Sequence, residues 1–185
     1  MSQLNVDTIG SQTGTTISIA SGHTLAGMGV LKEVDQWQLT ANFTTAGDND
    51  ITSNLARPSG TLQGAYIGTG MSESSGIFTF PSTGIWLIQV SAYINATTND
   101  GCALGIVGTN DNFSTQDVLA QAITGKYNSG YKDAATSFTQ TIVDITDTAN
   151  DKIKFQAGSV TSGTSINGSS TTTITTFVFM KLGET

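Results

Sequence analysis

Along most of the chain apolar and polar residues alternate one for one, the period of a strand half-buried in a sheet. In "DQWQLTANF" Trp37, Leu39, Ala41 and Phe43 take every second place. Runs of the same kind follow: "GAYIG", "GIFTF", "IWLIQVSAYI", "CALGIVG", "DVLAQAI", "SFTQTIVDIT", "KIKFQA" and "ITTFVFMKL". Clusters of Gly, Asn, Asp or Ser bound each run, as strand ends require. No segment sustains a 3.6-residue period for three turns. "DVLAQAI" comes nearest, with material for one helical turn. Eight or so strands in one domain predict an all-β, two-sheet antiparallel sandwich, most simply a jelly roll.

The stretch "GIFTFPSTGIWLIQV" (76–90) sets the geometry of one hairpin. Phe78 and Phe80 share a strand face, and Pro81, which has no N–H for a ladder, ends that strand. "PSTG" is a compact turn in which Gly84 supplies a backbone angle closed to other residues. The next strand then puts Trp86, Ile88, Val90, Ala92 and Ile94 on one face. Ile85, Leu87, Gln89, Ser91 and Tyr93 fall on the other, a mixed face. A strand apolar on one side and half-apolar on the other needs two covers: the opposite sheet and a second subunit.

Positions 1–29 differ. "LNVDTIG" and "TTISIASG" alternate briefly, with Leu4, Val6, Ile17 and Ile19 at strand spacing, but glycine breaks each run and no aromatic residue is present. Such segments cannot bury a face alone. They predict an extended N-terminal arm, with Gly27 and Gly29 as a hinge, that pairs with neighbouring chains, and a head over 30–185. Leu4, Val6, Ile9, Ile17 and Ile19 are its expected side-chain anchors.

Composition agrees with a sheet protein whose outer faces are polar but uncharged. The 185 residues are 37% hydrophobic, and charged residues make up only 11% against about 25% in an average domain. Net charge is −7 and the seven basic residues are scattered, so nucleic acid is not an expected partner. No apolar run reaches membrane-spanning length, and no charged-then-apolar signal opens the chain, so synthesis in a cytosol and no membrane contact are expected. Four Asn-x-Ser/Thr triplets, at Asn42, Asn95, Asn112 and Asn167, are ascribed to the abundance of Ser and Thr.

"GIFTFPSTGIWLIQVSAYI", with its Gly-x-Phe-x-x-Pro-x-x-Gly-x-aromatic spacing, resembles the central hairpin of the globular head of the complement first component. That fold is shared with the tumour necrosis factor superfamily. "SFTQTIVDITDTANDKIKFQA" is similar to the family's penultimate pair of strands, and "TTITTFVFMKLG" to its closing strand. The resemblance runs over roughly 33–183. It departs where the usual aspartate turn is stretched to "DTAND" and across 98–133. It implies a ten-stranded jelly roll assembled as a tight homotrimer, binding partners through loops or subunit grooves and catalysing nothing. The opening "LNVDTIGSQTGTTISIASGHTLAG" resembles the start of structural proteins of marine bacteriophages, in which an extended arm precedes a trimeric head.

Candidate chemistry is sparse. His23, the single histidine, lies in the arm, and Cys102, the single cysteine, has no second histidine to activate it. Cys102 reads as a small buried hydrophobe. Carboxylates gather in loops at Asp48 and Asp50, Asp100, Asp111, and Asp147 with Asp151. Some members of the resembled family hold calcium, but no spacing here is that of a calcium loop, and aspartate is a common turn former. "GTGMSESSG" lacks the Gly-Lys-Ser/Thr ending of a phosphate loop. Phe138, Phe155, Phe177 and Phe179 are assigned to the core or a trimer axis.

The resulting expectation is a non-enzymatic bacteriophage virion protein with no cofactor and no metal, made in host cytoplasm. It is read first as a trimeric capsid decoration protein docked by its arm onto other virion proteins, the major capsid protein foremost. The rival is a tail-fibre or receptor-binding tip recognising host surface glycans. Leu87, Tyr93, Phe177 and Phe179 are the expected trimer contacts.

Overall fold

The computed structural model describes residues 31–63, 66–96, 101–125 and 133–185. The arm anchors Leu4, Val6, Ile9, Ile17 and Ile19, with His23 and Asp100, lie outside the described residues. Every regular element described is a strand: β1 (Val34–Leu39), β2 (Gly47–Asp50), β3 (Leu55–Ala56), β4 (Tyr66–Ile67), β5 (Ser72–Ser74), β6 (Ile77–Thr79), β7 (Gly84–Ala96), β8 (Gly101–Thr109), β9 (Asp117–Gly125), β10 (Asp133–Ile145), β11 (Lys152–Val160), β12 (Ser165–Ile166) and β13 (Thr176–Gly183). They form two antiparallel sheets. Sheet A runs β10-β7-β13-β1-β3, with β12 and β4 appended. Sheet B runs β5-β6-β11-β8-β9, with β2 alongside β11. Neighbours in space are mostly distant in sequence, the non-local wiring of a jelly roll. "DVLAQAI" is a strand within β9, because its backbone groups are drawn into the ladder with β8.

β7 alternates buried and half-buried from end to end, as its period-two pattern requires. It pairs with β10 over thirteen residue pairs without a shift in register. The connection that feeds it turns where its residues dictate, but it is not the expected hairpin: β6 pairs with β5 and β11 in sheet B, so the chain crosses between the sheets from Thr79 to Gly84. β6 stops at Thr79, and Gly84 sits at φ +137°, where an added Cβ would stand 2.5 Å from the Gly183 carbonyl oxygen. The indole N–H of Trp86 reaches back to the Ser82 carbonyl oxygen at 3.3 Å, closing the turn.

The core is an aromatic cluster between the sheets. Trp37, Trp86, Phe177 and Phe179 come from sheet A, while Phe78 and Phe155 face them from sheet B. Phe155 and Phe177 stand 4.3 Å apart by ring centroid, and Phe78 lies 5.0 Å from Phe179 and 5.2 Å from Trp37. Such offset and edge-to-face contacts add to the gain from burial alone.

The most deeply buried charge is fully paired. Asp35, 1% exposed, accepts from Arg57 Nε at 2.9 Å and Nη2 at 2.8 Å, from Trp37 Nε1 at 2.9 Å and from the Met71 amide at 2.7 Å. Arg57 is held between the Trp37 and Tyr66 rings, 4.7 and 4.5 Å from their centroids, and donates to the Met71 carbonyl. The hydrogen bond to Asp35 raises its pKa above the ordinary arginine value. Breaking either half would strand a buried charge.

Candidate assembly surface

Alternation gives sheet A a second face, and the register shows what it carries. Ile142 of β10 lies beside Leu87 of β7, Leu87 beside Met180 of β13, and Met180 beside Val34 of β1. Four aliphatic side chains therefore cross four adjacent strands in one row. The next row reads Gln140, Gln89, Val178, Gln36, and Gln89 Nε2 donates to Gln140 Oε1 at 2.9 Å. The third places Phe138 beside Ser91 and Thr176. Tyr93 faces Thr136 at the far end. Ile142 is 61% exposed and Phe138 54%, while Leu87, Met180 and Val34 are half-buried only by one another and their neighbours.

A second apolar patch lies where the edges of the two sheets meet. β10 is the edge of sheet A and β9 the edge of sheet B. β9 turns Val118 and Ile123 outward, 56% and 74% exposed. Edge strands usually carry charge to prevent association. These carry little: of the side chains described, β9 has Asp117 and β10 has Asp144.

The expected trimer contacts thus divide. Leu87 and Tyr93 lie on the outer face. Phe177 and Phe179 do not: both are fully buried inside the protomer, and they are corrected to core residues. "TFVFMKL" is apolar in both phases, and the bulky aromatic phase fills the space between the sheets. That leaves Val178 and Met180 outward. Phe155 is core, whereas Phe138 is exposed. Ile142, Met180, Val34, Val118 and Ile123 belong to the surface but were not singled out in the sequence. Only the register, which places them side by side, makes them a patch.

The loop carboxylates are occupied by turns. Asp111 accepts from Thr115 N at 2.9 Å and from Thr109 Oγ1 at 2.7 Å. Asp147 accepts from Ala149 N and Asn150 Nδ2, and Asp151 from Thr146 N and Asp147 N. The Thr115 amide holds the Asp111 carboxyl below its usual pKa, and the Ala149 amide does the same for Asp147. Among the described residues no group of three or more His, Cys, Asp or Glu is placed to hold a metal ion. Cys102 is fully buried, and loss of solvation pushes its thiol pKa up to about 11.

No protein-family model matches the chain, and no curated protein matches its sequence. Solved structures do match in shape. Eiger TNF from S. frugiperda superposes with a TM-score of 0.61 at 14% identity, over 82% of this chain and 93% of that one. Murine APRIL at pH 5.0 gives a TM-score of 0.55 at 15% identity, over 81% of this chain and 98% of its own. Likeness at that identity establishes the fold, a tumour necrosis factor-like jelly roll.

Proposed function

We propose that the protein is a non-enzymatic bacteriophage virion component: a homotrimeric jelly roll attached to the particle through residues 1–29. One observation carries the assembly. The described protomer leaves uncovered an apolar row across four strands of sheet A and, separately, an apolar edge on β9 and β10. A face and an edge are different surfaces. Matching one to the other on a second copy makes a head-to-tail contact, which must close into a ring or grow into a filament. A ring of three is what the resemblance to the complement and tumour necrosis factor heads implies, with Leu87, Met180 and Tyr93 on the receiving face.

The virion assignment is supported by the likeness of "LNVDTIGSQTGTTISIASGHTLAG" to marine phage structural proteins. Capsid decoration is its favoured place and the major capsid protein its favoured contact. Alternating apolar residues in the arm suit strand addition to a neighbour's sheet edge, and three arms acting together multiply modest affinities. A non-catalytic role is supported by Cys102, which burial keeps protonated.

Two measurements test the reading. Light scattering of the intact protein should give three times the chain mass, and a folded monomer at micromolar concentration overturns the trimer. Deleting residues 1–29 should leave a folded trimeric head that no longer binds purified particles. A head that still binds, or cannot trimerise, overturns the division into arm and head. Label on the intact protein should fall over the capsid, and label at the tail replaces decoration with the receptor-binding tip.

A further inference from the structure

The loop after β1 and the turn after β2 line an open-sided cavity of about 380 Å³ at the end of the sandwich where β1 finishes. It is larger than the roughly 220 Å³ cleft between β9 and β10. That size falls at the small end of ligand sites, which run from about 300 to 1,000 Å³. Its walls include Asn42, Phe43, Asn49, Asp50, Thr52 and Ser53, and no lining residue is a lysine, arginine or aliphatic. Phe43 is half-buried and anchored by reciprocal backbone bonds with Ile166 at 2.8 and 3.0 Å.

The polar groups are fixed by the fold at one atom and open at another. Asn42 Oδ1 accepts from the Gly168 amide at 3.0 Å, which leaves its Nδ2 unpartnered among the described residues. Asn49 is the reverse: Nδ2 donates to the Ala46 carbonyl at 2.8 Å, leaving Oδ1 open. Asp50 is held by Lys154 Nζ at 2.7 Å and Gln156 Nε2 at 3.1 Å, so its charge is balanced and each oxygen keeps a lone pair. Thr52 and Ser53 hydroxyls make no described hydrogen bond and are exposed.

We propose that this cavity binds a neutral pyranose sugar. Adjacent hydroxyls on a sugar ring each donate and accept. Pinned amides offering one donor and one acceptor, beside a charge-balanced carboxylate and two free hydroxyls, answer that pattern. Phe43 supplies an apolar wall for the C–H face of the ring. A phosphate or acidic sugar meets no free cation here and one carboxylate, so anionic ligands are disfavoured. β2 and β3 lie at the edge of the sandwich opposite β9 and β10, so the cavity stays open if that edge is covered by another copy. The inference does not rest on the virion reading and holds for a capsid or a tail location alike.

The test is amide chemical-shift mapping of the intact, isotope-labelled protein with glucose, galactose, mannose and N-acetylglucosamine, and with N-acetylneuraminic acid as the anionic control. At least one neutral sugar should saturate with a Kd on the order of 1 mM, as suits so small a ligand. Shifts should centre on Asn42, Asn49 and Thr52. Asn49→Ala should weaken binding about tenfold, the effect of one lost hydrogen bond, and Thr52→Val several-fold without altering the fold. Absence of binding by all four neutral sugars, shifts centred elsewhere, or preference for N-acetylneuraminic acid overturns the proposal. So does equal affinity in the Thr52→Val protein.

Discussion

β13 shows two faces of one strand put to different ends. Phe177 and Phe179 point inward and are 0% exposed, packed against Phe155 and Phe78. Val178 and Met180, one residue away, point outward into a row of aliphatics that no described part of the protomer covers. Hydrophobicity is similar in the two phases; shape and surroundings are not. The inner phase is aromatic and makes ring contacts that define one packing arrangement. The outer phase is aliphatic, flat, and spaced by glutamines, as suits a surface that must stay soluble until it meets a partner.

The sharpest way to break that contrast is to place one charge on each face. Phe179→Asp should prevent folding outright, since it combines loss of an aromatic core residue, worth about 3–5 kcal/mol, with a buried unpaired charge. Far-ultraviolet circular dichroism and denaturant melts read it. Met180→Asp should leave the strand signal intact but convert the trimer to monomer by light scattering, and Leu87→Asp should do the same. If Met180→Asp unfolds the chain, the outer face is core. If it stays trimeric, the outer face is not the contact.

A second prediction concerns the most deeply buried charge, Asp35. Asp35→Ala removes the acceptor for Arg57, Trp37 and the Met71 amide together, and should cost about 3 kcal/mol of stability in a denaturant melt. Oligomeric state at low denaturant should not change. A loss below about 1 kcal/mol would show that water replaces Asp35 at little cost.

The smallest effect expected is chemical. With its pKa raised to about 11, Cys102 is protonated across the ordinary working range, and thiolate forms only as pH rises towards that value. A thiol reagent at pH 8 should leave the folded protein unlabelled while labelling the denatured chain fully. Rapid labelling of the folded form would place β8 in frequent opening.

Much of this was legible in sequence because period-two alternation is a local signal. The end of β6, both faces of β7 and the turn through Gly84 follow from residues 76–94 alone, whereas the crossing from sheet B to sheet A at that turn does not. The β13 faces were not legible, because a strand apolar in both phases does not say which phase turns inward. That choice is made by Phe78, 101 residues before Phe179, and by Phe155, 22 residues before Phe177. The Asp35–Arg57 pair was hidden for the same reason: its partners are 22 residues apart, and nothing local marks them. The sugar-sized cavity escaped too, since asparagines and threonines in loops read as turn formers until Gly168 and Ala46 are seen to hold them.

β1 and β13 run side by side in opposite directions, with Val34 opposite Met180. The head therefore begins and ends at the same end of the sandwich, where Lys32 and Glu184 meet at 3.1 Å and Lys181 joins them at 2.7 Å. Such a domain can be closed by a short peptide from Thr185 to Leu31 and reopened elsewhere, as neighbouring termini allow. For display of a foreign peptide the geometry dictates the opposite choice of site. Cargo fused after Thr185 would emerge beside Leu31, whereas cargo placed between Ala41 and Ala46 would stand at the other end of β1, away from Leu31 and Thr185.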